Sequence, residues 1–177
     1  MFKVILHGSN DIKGFTLNDG CLHEDFDVYF ATIIKQMFMI SFKEEEIMIV
    51  GEKSVGLMNK EQQILKTVSS TFTILRATAY EDTGVCYCLV LSDDYKVYTV
   101  KFEDSDEHIP EFYPVLEFRR EVKGIFVSPS TLSLFVSVDD TVFRLKLSLN
   151  PSISIVPDSS SLSRVADILV NICFYCC

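Results

Sequence analysis

Long apolar runs are absent from this chain of 177 residues. No segment approaches the roughly 20 apolar residues that a membrane-spanning helix requires. Residues 1–8 contain too short an apolar stretch for a signal peptide and lack a small-residue cleavage site. These absences predict a soluble, intracellular protein without a membrane span, located in the cytoplasm or the nucleus.

Histidine is also scarce, with only three residues, His7, His23 and His108. The chain lacks a nucleophile elbow and a metalloprotease helix motif, and residues 51–56 do not have the spacing of a phosphate-binding loop. His23 lies among acidic residues, where a solvated loop histidine is a more common outcome than a metal ligand or general base. The sequence therefore predicts no catalytic residue, no cofactor and no metal site, which favours a protein that is not an enzyme.

Basic residues are fewer than acidic ones, 16 against 25, so the formal net charge is -9 and the pI is about 4.8. A negative surface potential repels phosphate backbones and anionic lipid headgroups. The small basic group of Arg119, Arg120 and Lys123 is interpreted as a solvated strand end. The charge balance thus argues against direct binding of nucleic acid.

Six cysteines are present, and an intracellular chain with a substantial core is expected to keep them reduced. Cys86 and Cys88 are two residues apart in a predicted strand and share one face. They are interpreted as small buried apolar residues rather than as a thiolate pair for a metal. Cys173, Cys176 and Cys177 end the chain without forming a paired zinc motif or a prenylation box.

A strand-turn-strand unit recurs four times in the sequence. Its anchors, Ile12, Val55, Val97 and Val142, are 43, 42 and 45 residues apart. The positions eight, seven and six residues before each anchor are all apolar. Several short strands in a unit of this length indicate a repeat whose sheets bury their faces against one another.

The second, third and fourth units each contain four runs rich in β-branched and aromatic residues, as expected for strands. Asn10-Asp11, Asp93-Asp94 and Asp139-Asp140 provide turn chemistry between paired strands. The first unit is incomplete, because its inner strand begins at residue 2 and the preceding strand is missing. Residues 21–30 are predicted to supply its outermost strand.

This pattern resembles the WD-repeat-like β-propellers over about residues 2–156. The Gly-His and Trp-Asp signatures of that family are absent, and the chain contains no tryptophan. The hydrogen-bond network that those residues build therefore cannot be transferred to this chain. The resemblance implies an all-β partial propeller of about three and a half four-stranded blades, with residues 1–156 as one domain.

Residues 157–177 are predicted to form a polar break followed by a short, cysteine-rich C-terminal helix or tail. The break is the segment 157–161, and apolar residues then recur at helical spacing. These residues are Leu162, Val165, Ala166, Leu169, Val170 and Cys173. The helix is expected to cover an exposed blade edge, with docking on a partner as the alternative.

The longest insertion, residues 103–114, combines five carboxylates with two prolines and two adjacent aromatic residues. Loops on a rigid scaffold often carry recognition, and an aromatic residue beside charge suits a basic protein partner. The alternative is a solvated acidic loop whose aromatic residues pack on the blade edge. The candidate partner-binding residues are Glu103, Asp104, Asp106, Glu107, Phe112 and Tyr113.

Three and a half blades are fewer than the four to eight that commonly close a propeller. Open blade edges make a stable isolated monomer doubtful and predict protein partners that cover them. The favoured function is a non-enzymatic protein-protein interaction scaffold, as a subunit or fragment of a larger intracellular assembly. Two alternatives remain: a small closed β-barrel or sandwich that binds an apolar ligand, and a propeller enzyme completed by a partner chain.

Overall fold

Antiparallel β-sheets account for all the regular structure that the computed structural model describes. The structure describes residues 2–40, 46–59, 61–82, 84–103, 109–128, 133–148, 154–157 and 169–172. Within these ranges, sixteen strands form four sheets and no helix occurs. The all-β class predicted from the sequence is confirmed.

Sheets 1 and 2 come from the N-terminal part of the chain. Sheet 1 has three strands, in the order β1-β2-β3, and sheet 2 has four, in the order β4-β5-β6-β7. The strands of sheet 1 are β1 (Phe2–His7), β2 (Asp11–Asn18) and β3 (Cys21–Tyr29). The strands of sheet 2 are β4 (Ile34–Ile40), β5 (Glu46–Gly51), β6 (Ser54–Met58) and β7 (Ile64–Ser69).

Sheets 3 and 4 follow. Sheet 3 contains β8 (Ile74–Asp82), β9 (Val85–Ser92), β10 (Lys96–Phe102), β11 (Tyr113–Phe118) and β16 (Leu169–Ile172). Sheet 4 contains β12 (Val122–Ser128), β13 (Ser133–Val138), β14 (Thr141–Ser148) and β15 (Ser154–Pro157). Both sheets connect strands that are neighbours in the sequence, except that β16 pairs with β11.

The four-unit organisation predicted from the anchors is confirmed at the level of strands. Each anchor lies on a strand that pairs with the preceding strand: Ile12 on β2, Val55 on β6, Val97 on β10 and Val142 on β14. In the part of the chain that the structure describes, sheet 1 has no strand before this pair, unlike the other sheets, and residues 21–29 form its outermost strand as expected.

The prediction of a short C-terminal helix is wrong for the part of the tail that the structure describes. Leu169–Ile172 forms β16, whose residues Leu169 and Ile172 pair with Phe118 and Leu116 of β11. An exposed strand edge has unpaired amides and carbonyls, and pairing satisfies them on both strands. This tertiary pairing overrides the helical spacing of the local sequence. The other residues of the predicted helix lie outside the described residues.

Two compact units divide the chain, Met1–Thr71 and Phe72–Cys177. In the first unit, one face of sheet 1 packs against sheet 2 around a continuous apolar cluster. Its buried members are Ile12, Phe30, Ile34, Ile47, Ile49 and Met58. Ile5 and Phe26 pack against the same cluster, so β1, β2 and β3 all contribute. The expected division into residues 1–156 and 157–177 stays a prediction.

In the second unit, sheets 3 and 4 share one core. Leu89, Leu91 and Val97 from sheet 3 pack with Leu134 and Val136 from sheet 4. The first strands of these sheets, β8 and β12, contact each other, and so do the last strands β11 and β15. Corresponding strands of successive sheets are therefore neighbours in this unit.

The turn between β9 and β10 has three residues, 93–95, whereas the turns between β5 and β6 and between β13 and β14 have two. Val97 consequently pairs with Leu91. The next pair along the two strands is Val90 with Tyr98. Tyr95 in this turn adopts a positive φ of 60°, a conformation uncommon for a residue with a side chain. The Ser92 hydroxyl holds the turn by accepting from the Lys96 amide at 3.1 Å and donating to the Asp94 carboxylate.

Candidate functional site

The predicted partner-binding loop lies between β10 and β11, and its aromatic residues pack on their own sheet. Phe112 makes edge contacts with Phe72 and Tyr98, at centroid distances of 5.2 and 6.4 Å. Phe72 and Tyr98 are stacked at 4.1 Å. Burial in this cluster raises the pKa of the Tyr98 phenol. The arrangement fits the alternative in which Phe112 fixes the end of the loop to the sheet.

The remaining predicted loop residues have separate surroundings. Glu103 forms an ion pair with Lys101, and the Tyr113 hydroxyl lies 3.4 Å from a carboxylate oxygen of Glu111. Asp104, Asp106 and Glu107 lie outside the described residues. The structure thus brings Phe112 into a cluster with Phe72 and Tyr98, neither of which was predicted from the sequence. The role of this loop in partner binding stays a prediction.

A second candidate is the free edge of β1. This strand pairs with β2 along its whole length, from Phe2 opposite Leu17 to His7 opposite Ile12. No described strand pairs with the other edge of β1. The strands equivalent to β1 in the other three sheets are β5, β9 and β13. Each of them is paired on that side with the strand before it, β4, β8 or β12. The free edge is therefore suited to accept an additional antiparallel strand.

A third candidate is the face of sheet 1 that points away from the core of its unit. The alternation along paired strands places one set of side chains on this face. We call it the outer face of sheet 1, and its residues are Leu6, Lys13, Phe15, Leu17, Leu22, Glu24, Asp27 and Tyr29. Leu6, Leu22 and Tyr29 are 56%, 63% and 72% exposed. Exposed apolar residues grouped on one face are typical of a protein contact.

Acidic residues accompany the apolar ones on this face. The Lys13 ammonium lies 3.0 Å from Asp27 and 3.6 Å from Glu24. The hydrogen bond to Asp27 and the charges of both carboxylates raise the pKa of Lys13. One ammonium therefore shares two carboxylates, which leaves this part of the face negative.

A fourth candidate is the face of sheet 4 that carries the anchor Val142 and points away from the core of the second unit. We call it the outer face of sheet 4, and its residues are Phe126, Phe135, Val142, Arg144 and Lys146. Phe126 and Phe135 lie opposite each other with ring centroids 6.4 Å apart, and Phe126 is 61% exposed. Arg144 pairs opposite Phe135 and donates a hydrogen bond to Ser133 at 3.0 Å. This face combines aromatic and basic side chains.

The cysteine pair on β9 is enclosed in the core. Cys86 and Cys88 are both fully buried, while Cys21 is exposed. Burial, together with neighbouring Cys86, raises the pKa of the Cys88 thiol well above its ordinary value. A thiol in this state is a weak nucleophile and a weak metal ligand. These positions fit the interpretation of the pair as small apolar core residues.

No group of three or more histidine, cysteine, aspartate or glutamate residues in the described ranges is placed to hold a metal ion. His7 is exposed, and one of its ring nitrogens lies 3.0 Å from the Gly8 carbonyl oxygen. His23 is exposed on β3, and His108 lies outside the described residues. The structure therefore does not bring the described histidines into a polar cluster.

Comparison with known families finds no matching family model, and no curated protein matches the chain. Within the described residues, no helix has the length and apolar character needed to cross a bilayer. The exposed edge and faces of the sheets are therefore the features from which a function can be inferred.

Proposed function

We propose that this chain is a non-enzymatic protein-protein interaction scaffold that acts inside the cell as a subunit of a larger assembly. Its architecture would be that of a partial propeller. The free edge of β1 carries this proposal. Among the described strands, three sheets have a first strand at this edge and sheet 1 does not, so a partner strand would complete the sheet.

Strand addition at β1 has a clear energetic basis. Backbone amides and carbonyls at a sheet edge gain hydrogen bonds from an extended partner, and alternate side chains select its sequence. An unpaired edge also favours aggregation, which a specific partner prevents. The first strands β4, β8 and β12 indicate the chemistry of the additional one, since each has buried apolar residues near both of its ends: Ile34 and Ile40, Ile74 and Tyr80, and Val122 and Val127.

Two features support the propeller arrangement. In the second unit, β8 contacts β12 and β11 contacts β15, so successive sheets stack with corresponding strands together. Sheets 1 and 2 also share a core to which every strand of sheet 1 contributes. Sheets that bury their faces against the next sheet in sequence are typical of repeat architectures, including propellers.

The acidic insertion would select the partner. A net charge of -9 favours encounter with a basic protein surface, and charge complementarity acts mainly on association rate and specificity. Glu103, Asp104, Asp106 and Glu107 would supply local contacts, while Phe112 fixes the loop to sheet 3 through Phe72 and Tyr98.

The test is affinity capture of the tagged chain from cell lysate, followed by mass spectrometry and sizing of the recovered complex. The proposal predicts a stoichiometric protein partner. Recovery of a monomer without such a partner would overturn it. A variant with Glu103→Gln, Asp104→Asn, Asp106→Asn and Glu107→Gln should recover less partner. The matched control, Asp19→Asn, Glu61→Gln, Glu121→Gln and Asp140→Asn, changes four exposed carboxylates elsewhere and should recover the normal amount.

A further inference from the structure

We infer that the outer face of sheet 1 binds the outer face of sheet 4 of a second copy of this chain. The inference goes beyond the proposed function, because it concerns two sheet faces rather than the free edge of β1. It names the occupant of both faces. The closure of a ring, though not the contact itself, rests on the propeller arrangement proposed above.

The two faces have complementary charges. On sheet 1, Glu24 and Asp27 flank the single ammonium of Lys13. On sheet 4, Arg144 and Lys146 are exposed on adjacent rows of β14. A guanidinium forms paired hydrogen bonds with a carboxylate, and such pairs fix the orientation of two partners.

Both faces also have an apolar component. Leu6, Leu17, Leu22 and Tyr29 supply it on sheet 1, where each is more than two-fifths exposed. Phe126 and Val142 supply it on sheet 4 and are 61% and 64% exposed. Aromatic and aliphatic residues within a polar surround are the usual composition of a specific protein interface.

The repeats show that these positions are normally covered. Leu6 pairs with Lys13, the residue after the anchor Ile12. In sheets 2, 3 and 4, the residues that pair with the position after the anchor are Ile49, Val90 and Val136. Those three are 0% exposed, while Leu6 is 56% exposed. Ile49 packs in the core shared with sheet 1, and Val136 packs in the core shared with sheet 3. Leu6 lies in the first described sheet, on the face that a preceding sheet would cover.

The exposure of the four anchors shows that sheet 4 also has a face without cover among the described residues. Ile12, Val55 and Val97 are 0% exposed, but the fourth anchor, Val142, is 64% exposed. Ile12 packs in the core shared with sheet 2, and Val97 packs in the core shared with sheet 4. An anchor in these units therefore faces the following sheet. Val142 lacks that cover within the described part of the chain, and the first sheet of another copy would provide it.

Sheet 1 and sheet 4 are different surfaces, so the contact is head to tail and leaves one face free on each copy. Heterologous contacts produce a ring if the rotation closes and a filament if it does not. Two copies contribute eight sheets, which is within the four to eight blades of known propellers. A reciprocal dimer with two identical contacts would use all the outer faces.

The test uses charge reversal in the full chain. One variant combines Arg144→Glu with Lys146→Glu, and the other combines Glu24→Lys with Asp27→Lys. Analytical ultracentrifugation over a concentration series should show a dimer for the original chain. Each variant alone should dimerise more weakly by roughly tenfold or more, because both of its contacts bring like charges together. An equimolar mixture should form a dimer again, since each contact then joins opposite charges.

The control combines Lys35→Glu with Lys53→Glu, two exposed lysines of the first unit, and changes the net charge as much as the first variant does. It should dimerise like the original chain. Far-ultraviolet circular dichroism checks that all variants are folded. A monomer at every concentration overturns the inference, as does self-association that is insensitive to both reversals. A mass that grows continuously beyond two copies, and that each reversal reduces, would support the contact and overturn only the closure of the ring. Loss of self-association with retained partner capture would overturn this inference and leave the proposed function standing.

Discussion

The hydroxyl oxygen of Thr78 on β8 accepts a hydrogen bond from the backbone amide of Val127 on β12, at 3.2 Å. Both residues are buried. β12 pairs with β13 along its length, with Val127 opposite Leu134, and the Thr78 side chain satisfies the Val127 amide at the edge of sheet 4. The bond connects the first strands of sheets 3 and 4 and helps to hold the two sheets in their stacked positions.

Thr78→Val should lower the free energy of unfolding by about 1–3 kcal/mol, because it leaves the buried Val127 amide without its partner. Urea unfolding followed by circular dichroism measures this change. Thr99→Val is the matched control. The buried Thr99 hydroxyl has no hydrogen-bond partner among the described residues, so its removal should not reduce stability. Equal losses for the two variants would contradict the role given to Thr78.

Leu6 and Ile49 occupy corresponding positions of sheets 1 and 2 but differ in burial, at 56% and 0% exposed. Ile49→Ala should lower the free energy of unfolding by about 2–5 kcal/mol through lost burial and a cavity. Leu6→Ala should change it by less than about 0.5 kcal/mol in dilute protein, where copies are separate. Thermal unfolding at low concentration compares the variants. A large loss for Leu6→Ala would mean that its face is covered within one chain.

Gly56 on β6 lies directly against the buried ring of Phe30. A Cβ atom at this position would lie 2.8 Å from Phe30 Cε2 and 3.2 Å from Thr67 Oγ1. Gly56→Ala should therefore lower the free energy of unfolding by about 1–3 kcal/mol, because the enclosed ring cannot move freely. Gly124→Ala is the control, since nothing lies within 4 Å of its Cβ position. Chemical denaturation measures both variants, and similar stabilities would be inconsistent with this packing.

Asp94, in the turn before β10, should stabilise the protein in a pH-dependent way. Burial alone would raise the pKa of Asp94, but hydrogen bonds from Ser92 and Lys96 lower it below its ordinary value. The folded-state pKa is thus below the unfolded value of about 3.9. The stabilisation is present above that pH and is lost as the pH falls through the folded-state pKa.

The variant Asp94→Asn should therefore be less stable than the original chain near neutral pH, with a difference that shrinks below about pH 4. Urea unfolding across a pH series gives this difference. Lys96→Met is the companion variant, because it removes the ammonium that lies 3.0 Å from Asp94 and retains the carboxylate, so it should produce a smaller difference with the same pH dependence. A difference that stays constant with pH would argue against the ionised carboxylate as its source.

Much of the strand pattern was predictable from the sequence because apolar periodicity reports burial directly. The positions of β5 and β9 follow from nearly continuous apolar runs, and those of β6 and β10 follow from the runs that begin at the anchors after each turn. The absence of a first strand in sheet 1 also followed from counting. The pairing of Leu169–Ile172 with β11 did not, because a free strand edge is a tertiary feature that local spacing does not encode.

The candidate surfaces were harder to predict. The sequence indicated the acidic insertion, but not that Phe112 packs on Phe72, which is forty residues earlier in the chain. The outer faces depend on strand register, since a one-residue shift changes which side chains share a face. Counting back eight, seven and six residues from Val97 selected Leu89, Val90 and Leu91, but did not show that the longer turn places Val90 opposite Tyr98. The register of sheet 4 is needed to show that Arg144 and Lys146 share a face with Phe126 and Phe135.

The most direct test of the account is hydrogen exchange of β1, residues 2–7, in the isolated chain and in the complex recovered by affinity capture. A free edge leaves the outward amides of β1 unbonded, so they should exchange rapidly in the isolated chain. The account predicts that these amides become protected in the complex, while those of the central strand β9 are protected in both states. Unchanged, rapid exchange of β1 in a stoichiometric complex would contradict strand addition at this edge.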